Sequence, residues 1–378
     1  METWFDFDRR IFKHFSYFLM IQMIPLFICS SYLINEINPY LFHKQMIYYG
    51  IAFVVFIISA FIPWRQIIWW FIPIFYVVNL GLLVAVEFIG KTILGAKRWI
   101  EIPGIGITVQ PSEFIKVSVI MMLGYIISHR PPAKEGYGLW AFIQLSIVII
   151  VPFLLIAKEP DLGTALVLLI MGYGILFVVG INWKIWISIF VILGLSAPVL
   201  YGELKPYQKK RVSDFIGKPS YHVHQALIAI GSGGLEGKSK EDSTQTQLKF
   251  LPVSSTDFIF AYLGERFGFK GMITVIILYI LLMFNLLYIS AKYDEDYLIQ
   301  TFASGLAFLI FVSMGDNIYM VIGLAPVVGL PLPLFSHGGT SFIIFAIIFG
   351  ILQNLIAFKD YSRYNSDSKV TMQTKDLH

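Results

Sequence analysis

Apolar residues in this chain come as unbroken runs, not as the alternation of a half-buried strand or the i, i+3, i+4 stripe of a surface helix. Ten such runs lie at about 15–34, 47–63, 66–86, 112–129, 138–157, 161–180, 183–201, 269–290, 299–322 and 340–358. Each approaches the ~20 residues that take an α-helix across roughly 30 Å of hydrocarbon. Water is missing there, so a crossing segment must satisfy its own backbone N–H and C=O groups, which a helix does. The pattern predicts an all-α polytopic membrane protein with about ten transmembrane helices. A polar segment, 1–14, precedes a membrane domain over 15–358, and a second polar segment, 359–378, follows it. Only one interval between runs is long, about 202–257, and it stands before the eighth. Loop lengths in 1–190 do not match those in 191–378, which speaks against the inverted repeats of many secondary transporters.

Composition agrees: 57% of residues are hydrophobic, 14% are charged, and there are 33 Phe and 20 Tyr. A mean hydropathy of +0.73 is outside the range of a soluble domain. The net charge of +4 is too small to suggest nucleic acid. The single cysteine, Cys29, excludes an internal disulfide and a cysteine metal site. Glu2, Asp6, Asp8, Arg9, Arg10 and Lys13 lead into a full-length span with no small-residue cleavage site, so the first span is expected to stay as an anchor.

Charge sets the orientation. With both termini cytoplasmic, the inner segments hold twelve cations: Arg9, Arg10, Lys13, Arg65, Arg130, Lys134, Lys184, Lys292, Lys359, Arg363, Lys369 and Lys375. The short outer connections then hold five: Lys44, Lys91, Lys97, Arg98 and Lys158. That bias predicts cytoplasmic termini and an outer 202–257 loop, because long loops cross regardless of charge.

Polar residues stand where such a chain rarely tolerates them. Asp257 sits where the long loop meets the next helix, preceded by Ser254, Ser255 and Thr256. A carboxylate there is either a helix cap or a candidate general base beside a loop that can admit a polar substrate. Lys97 and Arg98 lie at a membrane boundary, where they snorkel or bind a phosphate or diphosphate. Ser112 reads as an N-cap after Pro111, and Glu113 suits a helix N-terminus. Lys116, on the same face as Glu113, needs an acid partner or a polar cavity. Asp161 reads as a cap of the sixth helix, with Lys158 and Glu159 paired in the turn before it. Asp316 and Asn317 intrude into the ninth span.

The long loop carries Lys209, Lys210 and Arg211, then His222 and His224, too few ligands for a metal site. Its Gly231-Ser232-Gly233-Gly234-Leu235-Glu236-Gly237-Lys238-Ser239 nearly spells a phosphate-binding loop, but Ser232 stands where the first Gly is required and no strand precedes it. These glycines are expected to allow tight turns or close backbone approach instead. The segment Gly323–Ser341, with Pro326, Pro331 and Pro333, is uncharged and full of helix breakers. Irregular backbone near a membrane is tolerated in a cavity wall, so that is its expected place.

Taken in order, six motifs resemble the RodA/FtsW (SEDS) family of peptidoglycan glycosyltransferases over residues 15–358. They are Gly95-Ala96-Lys97-Arg98-Trp99, Gln110-Pro111-Ser112-Glu113 with Lys116, Glu159-Pro160-Asp161-Leu162-Gly163-Thr164-Ala165, Gln225 to Lys238, Thr256-Asp257-Phe258-Ile259-Phe260-Ala261, and Pro331-Leu332-Pro333-Leu334 with Ser336, Gly338, Gly339, Thr340 and Ser341. Pro326-Val327-Val328-Gly329 and Leu162 look more like the RodA branch. The resemblance implies polymerisation of lipid II into glycan strands on the outer face of a bacterial cytoplasmic membrane, for elongation and rod shape. It places the essential acid at Asp257, taking the proton of the acceptor 4-hydroxyl as polyprenyl diphosphate leaves. Lys97, Arg98, Lys210 or Arg211 would supply charge to that diphosphate. A divalent cation, Mg2+ or Mn2+, would be held by the diphosphate and not by a protein cage, with no organic cofactor. Glu113, Lys116, Asp161, Ser336, Gly338 and Gly339 would shape or support the cavity. The implied partner is a class B penicillin-binding protein, a transpeptidase. The alternatives are a lipid II flippase and a non-catalytic scaffold that activates such a partner. Three positions depart from the family pattern: Val253 where a Glu is usual, His337 where a Tyr is common, and Tyr319 for a small residue.

Overall fold

The computed structural model describes residues 14–359, apart from 94–95, 102–107, 160, 204–208, 210–219, 244–253 and 328. Segment 1–13, the tail from 360, Lys210, Arg211 and Val253 therefore lie outside the described residues. The helices are α1 (Tyr17–Ile37), α2 (Pro39–Phe61), α3 (Trp64–Ile89), α4 (Pro111–His129), α5 (Leu139–Lys158), α6 (Leu162–Val179), α7 (Trp183–Glu203), α8 (Tyr221–Gly233), α9 (Ile259–Lys292), α10 (Tyr297–Val321) and α11 (Gly339–Ala357). Among the described residues, nine of them are long and apolar enough to cross a membrane, and α7 carries a shorter apolar stretch, Trp183–Ser196, at the seventh predicted position. The chain is an all-helical polytopic membrane protein.

Because both faces of a central helix meet protein, burial orders the bundle. In α10, 78% of the spanning window is buried, against 22% in α2. The central α4, α6, α10 and α11 also absorb their own polar side chains: Thr301 Oγ1 donates to Tyr297 O at 2.6 Å and Ser304 Oγ to Gln300 O at 2.7 Å. Peripheral α1, α2 and α3 leave Ile24, Phe53, Trp70 and Val77 exposed, as lipid-facing helices do.

Two polar staples cross the bundle. Arg65, in the first turn of α3, donates to Asp296 at 2.6 Å and to Leu355 O at 3.0 Å, tying the start of α10 to the end of α11. Arg266 of α9 forks onto Glu36 of α1, with both N–H contacts at 2.8 Å, and also donates to Lys238 O.

The eighth predicted span was expected to start at 269, but α9 starts at Ile259. Gly268, at φ 60 and ψ −160, breaks the helix, so the regular membrane segment does resume where the apolar run begins. Segment 234–238 packs into this break: Phe269 N donates to Gly234 O at 2.8 Å and Lys238 N to Glu265 O at 3.0 Å. A Cβ on Gly268 would stand 2.5 Å from Gly237 N. The glycine-rich motif is thus a close backbone approach to α9.

Three short antiparallel strands, β1 (Lys91–Ile93), β2 (Ala96–Glu101) and β3 (Thr108–Val109), pair in the order β1-β2-β3 between α3 and α4. They lie at the end of the bundle where α1 stops and α2 starts. Asp257 and the Pro-rich segment share that end.

Candidate active site

The turn over residues 254–258 delivers Asp257 to the start of α9. The N-cap is Phe258, and no side chain makes a capping hydrogen bond there, so Asp257 does not serve the helix in that way. The turn is held by backbone atoms instead. Asn317 of α10 donates its Nδ2 to Asp257 O at 2.8 Å and to Leu330 O at 2.7 Å. Ser336 Oγ donates to Thr256 O at 2.6 Å and accepts from Leu332 N at 2.8 Å, and His337 N donates to Ser255 O at 2.9 Å. The Pro-rich segment is itself fixed from behind, by Ser30 of α1 donating to Phe335 O and Tyr279 of α9 donating to Pro333 O.

This clamp leaves the Asp257 carboxylate half-buried. Its Oδ2 lies 3.4 Å from where a Cβ on Gly329 would stand, an ordinary contact distance, and Gly329 has φ 79, a left-handed backbone that favours glycine at this point of the segment. Burial pushes the Asp257 carboxyl above its ordinary range, with a hydrogen bond from Thr256 pulling the other way. A carboxylate placed so is more basic than one in water and can accept a proton.

With that geometry in view, a family model described as Cell cycle protein (FtsW/RodA/SpoVE) matches residues 8–361. The chain belongs to this family. It is 48% identical over 360 residues to the Peptidoglycan glycosyltransferase MrdB of Helicobacter pylori (strain ATCC 700392 / 26695), covering 95% of this chain and 94% of that protein. Two solved structures share the fold. One is a chain of a peptidoglycan synthase complex that coordinates polymerization and crosslinking, with TM-score 0.76 and 24% identity, covering 91% of this chain and 98% of that one. The other is the Thermus thermophilus rod shape determining protein RodA, with TM-score 0.67 and 23% identity, covering 91% and 97%.

The other family motifs gather in two further groups. Asp161 is the N-cap of α6, accepting from Thr164 N at 3.4 Å, and it also accepts from Gln110 Nε2 at 3.1 Å and pairs with Arg98 at 3.5 Å. Lys97 donates to Glu87 O at 2.6 Å and Phe88 O at 3.3 Å, at the C-terminus of α3. Both cations are thus engaged by protein groups. Lys158 pairs with Glu87 at 2.7 Å and not with Glu159, contrary to the expected turn pair, because its side chain reaches across to α3. Glu159 is only 5% exposed, and among the described residues neither carboxylate oxygen has a hydrogen-bond partner. Burial first, then the nearby Asp161 charge, raise its pKa to about 8, with Arg98 opposing.

Lys116 is 7% exposed and takes Glu113 as its partner at 2.7 Å, one turn back on α4. The expected N-cap at Ser112 is displaced: Gln110 is the N-cap, Pro111 opens the helix, and Ser112 accepts from Gln110 Nε2 at 3.0 Å. Gly338 caps α11, and Gly339 admits the Tyr48 ring, which would lie 2.6 Å from a Cβ there. The sequence marks Asn317 as an intrusion but not as the clamp on Asp257, shows Gly329 only as part of a branch motif, and gives no sign of Tyr48. Among the described residues no group of three or more His, Cys, Asp or Glu comes together.

Proposed function

We propose that this chain is a peptidoglycan glycosyltransferase of the RodA type that polymerises lipid II, with Asp257 as general base. Both termini face the cytoplasm in this reading, and Asp257 and the Pro-rich segment face outward. The observation that carries it is the Asp257 turn: an acid relieved of capping, held by Asn317 and Ser336 through its backbone, with its carboxylate raised by burial. The acceptor's 4-hydroxyl oxygen attacks the donor's anomeric carbon, the bond to the polyprenyl diphosphate breaks, and the hydroxyl proton passes to Asp257. In-line displacement turns an α-linked donor into a β-linkage. A positioned base contributes about 10²–10⁴-fold to such a step.

The identity to a protein named Peptidoglycan glycosyltransferase MrdB supports this activity, and the fold shared with a peptidoglycan synthase complex supports a class B penicillin-binding protein as partner. Lys97 and Arg98 would have to leave the α3 carbonyls and Asp161 to meet a diphosphate, so in this proposal they build the outer wall. Lys210 and Arg211 remain its candidate diphosphate cations, and Mg2+ or Mn2+ would arrive with the substrate. A flippase needs polar groups through the full depth of the membrane, and the Glu113 partner of Lys116 removes one member of that path.

The test is glycan-chain formation from purified lipid II by the native chain and by Asp257→Asn. Each is paired with its penicillin-binding partner carrying a disabled transpeptidase serine, in Mg2+, Mn2+ or EDTA. Polymer from the native chain and none from a folded Asp257→Asn is the expected result. Equal polymer from both would remove Asp257 from the chemistry, and none from either would favour a flippase or scaffold.

A further inference from the structure

His337 touches the Asp257 turn with its backbone and α2 with its ring. Its N–H donates to Ser255 O at 2.9 Å, and Ser336 beside it holds Thr256 O at 2.6 Å. Its imidazole meets the Tyr48 ring of α2 edge-on, with centroids 5.9 Å apart. Tyr48 is itself wedged against Gly339, where a Cβ would stand 2.6 Å from it. The imidazole is therefore pinned on its α2 side.

One ring atom is left without a bond. His337 Nε2 is buried, and among the described residues it has no hydrogen-bond partner. A neutral imidazole accommodates this by carrying its proton on Nδ1 and leaving Nε2 bare, the tautomer that this bonding pattern assigns. An imidazolium cannot, because both nitrogens are then donors and the one at Nε2 meets no acceptor. A stranded charged donor costs more than a stranded lone pair. The neighbouring groups push the same way. From α2 come Lys44 and the Tyr48 phenol, from the turn comes Asp257, and Gly338–Ser341 at the start of α11 bring nothing that titrates. Burial first, then the Lys44 charge, hold the His337 pKa below its ordinary 6.5, and the Asp257 carboxylate does not offset them. To reach water, a protonated Nε2 has to move away from the pinned face, and the N–H that holds Ser255 O moves with the same residue. A Tyr, common at this position in the family, keeps one charge state between about pH 5 and 8, whereas a histidine does not.

We propose that neutral His337 is a positioning residue for the Asp257 turn, and that protonating it unlatches the turn and stops polymerisation in mild acid while the chain stays folded. The proposal rests on the reading of Asp257 as general base and adds what keeps that base in place. In the proposed orientation the latch faces the outer aqueous phase, so it responds to pH outside the cell.

The test compares the native full chain with His337→Tyr and His337→Gln, each with its penicillin-binding partner carrying a disabled transpeptidase serine. The rate of polymer formation from lipid II is followed from about pH 8 down to about pH 5, each chain normalised to its own rate at the upper end. Below both pKa values the native rate should fall about a hundredfold per pH unit, because His337 and Asp257 must each lose a proton, against about tenfold in the variants, where Asp257 titrates alone. A second readout needs no polymer: amide hydrogen exchange of segment 330–338, corrected for the intrinsic effect of pH. Protection there should drop in mild acid in the native chain and persist in both variants. The same acid limb and the same protection in all three chains would overturn the latch and leave Asp257 as the base. Protection lost only in the native chain, with no acid limb left in the variants, would keep the latch and remove Asp257 as the titrating base. Melting of the native chain in detergent within the same pH window would mean global unfolding, and that too overturns the proposal.

Discussion

Asp257 shows how little of a residue's role its own position reveals. Read along the chain it stands at a helix start, where a carboxylate ordinarily caps. In the folded protein the N-cap is Phe258, and the side chains that bond the turn, Asn317 and Ser336, come from 60 and 80 residues away. Glu159 is the opposite case: its sequence neighbours suggest a pair with Lys158, and the fold takes that partner away to Glu87. Its pKa in the folded chain rises from 4.5 to about 8. Between those values the folded chain keeps a proton that the unfolded chain has released, so the stability this group contributes is complete at low pH and is lost as pH rises toward 8. Melting temperature in detergent should therefore fall across that window. Glu159→Gln should flatten the fall and melt above the native chain at pH 8; an unchanged slope would show that Glu159 is ionised throughout.

Among the elements, the spanning helices were legible, whereas α8 inside the long loop and the break in α9 were not. Apolar runs located the spans because lipid rewards any continuous apolar helix whatever its neighbours. The break in α9 depends on Gly268 meeting segment 234–238, a contact no run of residues encodes locally. At φ 60 and ψ −160 a side chain is strained even before it meets Gly237 N, 2.5 Å from its Cβ. Gly268→Ala should cost roughly 1–3 kcal/mol. Gly50→Ala, in helical backbone with nothing within 4 Å of its Cβ, should be neutral or slightly stabilising. Chemical or thermal unfolding of the two variants side by side checks this, and equal effects would remove the kink argument. The cap of α4 stands two residues before the expected one for a milder reason: Ser112 has the chemistry of a cap, but Pro111 with its fixed φ opens the helix first.

At the scale of the whole molecule, α1 and α9 are tied by the Arg266–Glu36 pair, whose side chains are 11% and 10% exposed. Arg266 also holds Lys238 O, so the pair fastens the glycine-rich segment to the same joint. Removing one partner strands a charge in apolar surroundings. Arg266→Met alone is expected to destabilise by roughly 3–5 kcal/mol, and the double variant with Glu36→Gln by less than the sum of the singles. A double-mutant cycle on detergent melting checks the coupling, and simple additivity would show the pair to be solvated.

The sequence by itself determined that this chain crosses a membrane many times, where most crossings fall and which polar residues interrupt them. Those facts depend on apolar length and on single motifs, which the solvent reads one segment at a time. Only the tertiary structure decided which polar residue meets which across the bundle: Lys158 with Glu87, Arg98 with Asp161, and Asn317 with the backbone of Asp257. Hydrogen bonds and ion pairs act over a few ångströms, so they depend on how distant helices pack, and hydropathy is blind to that.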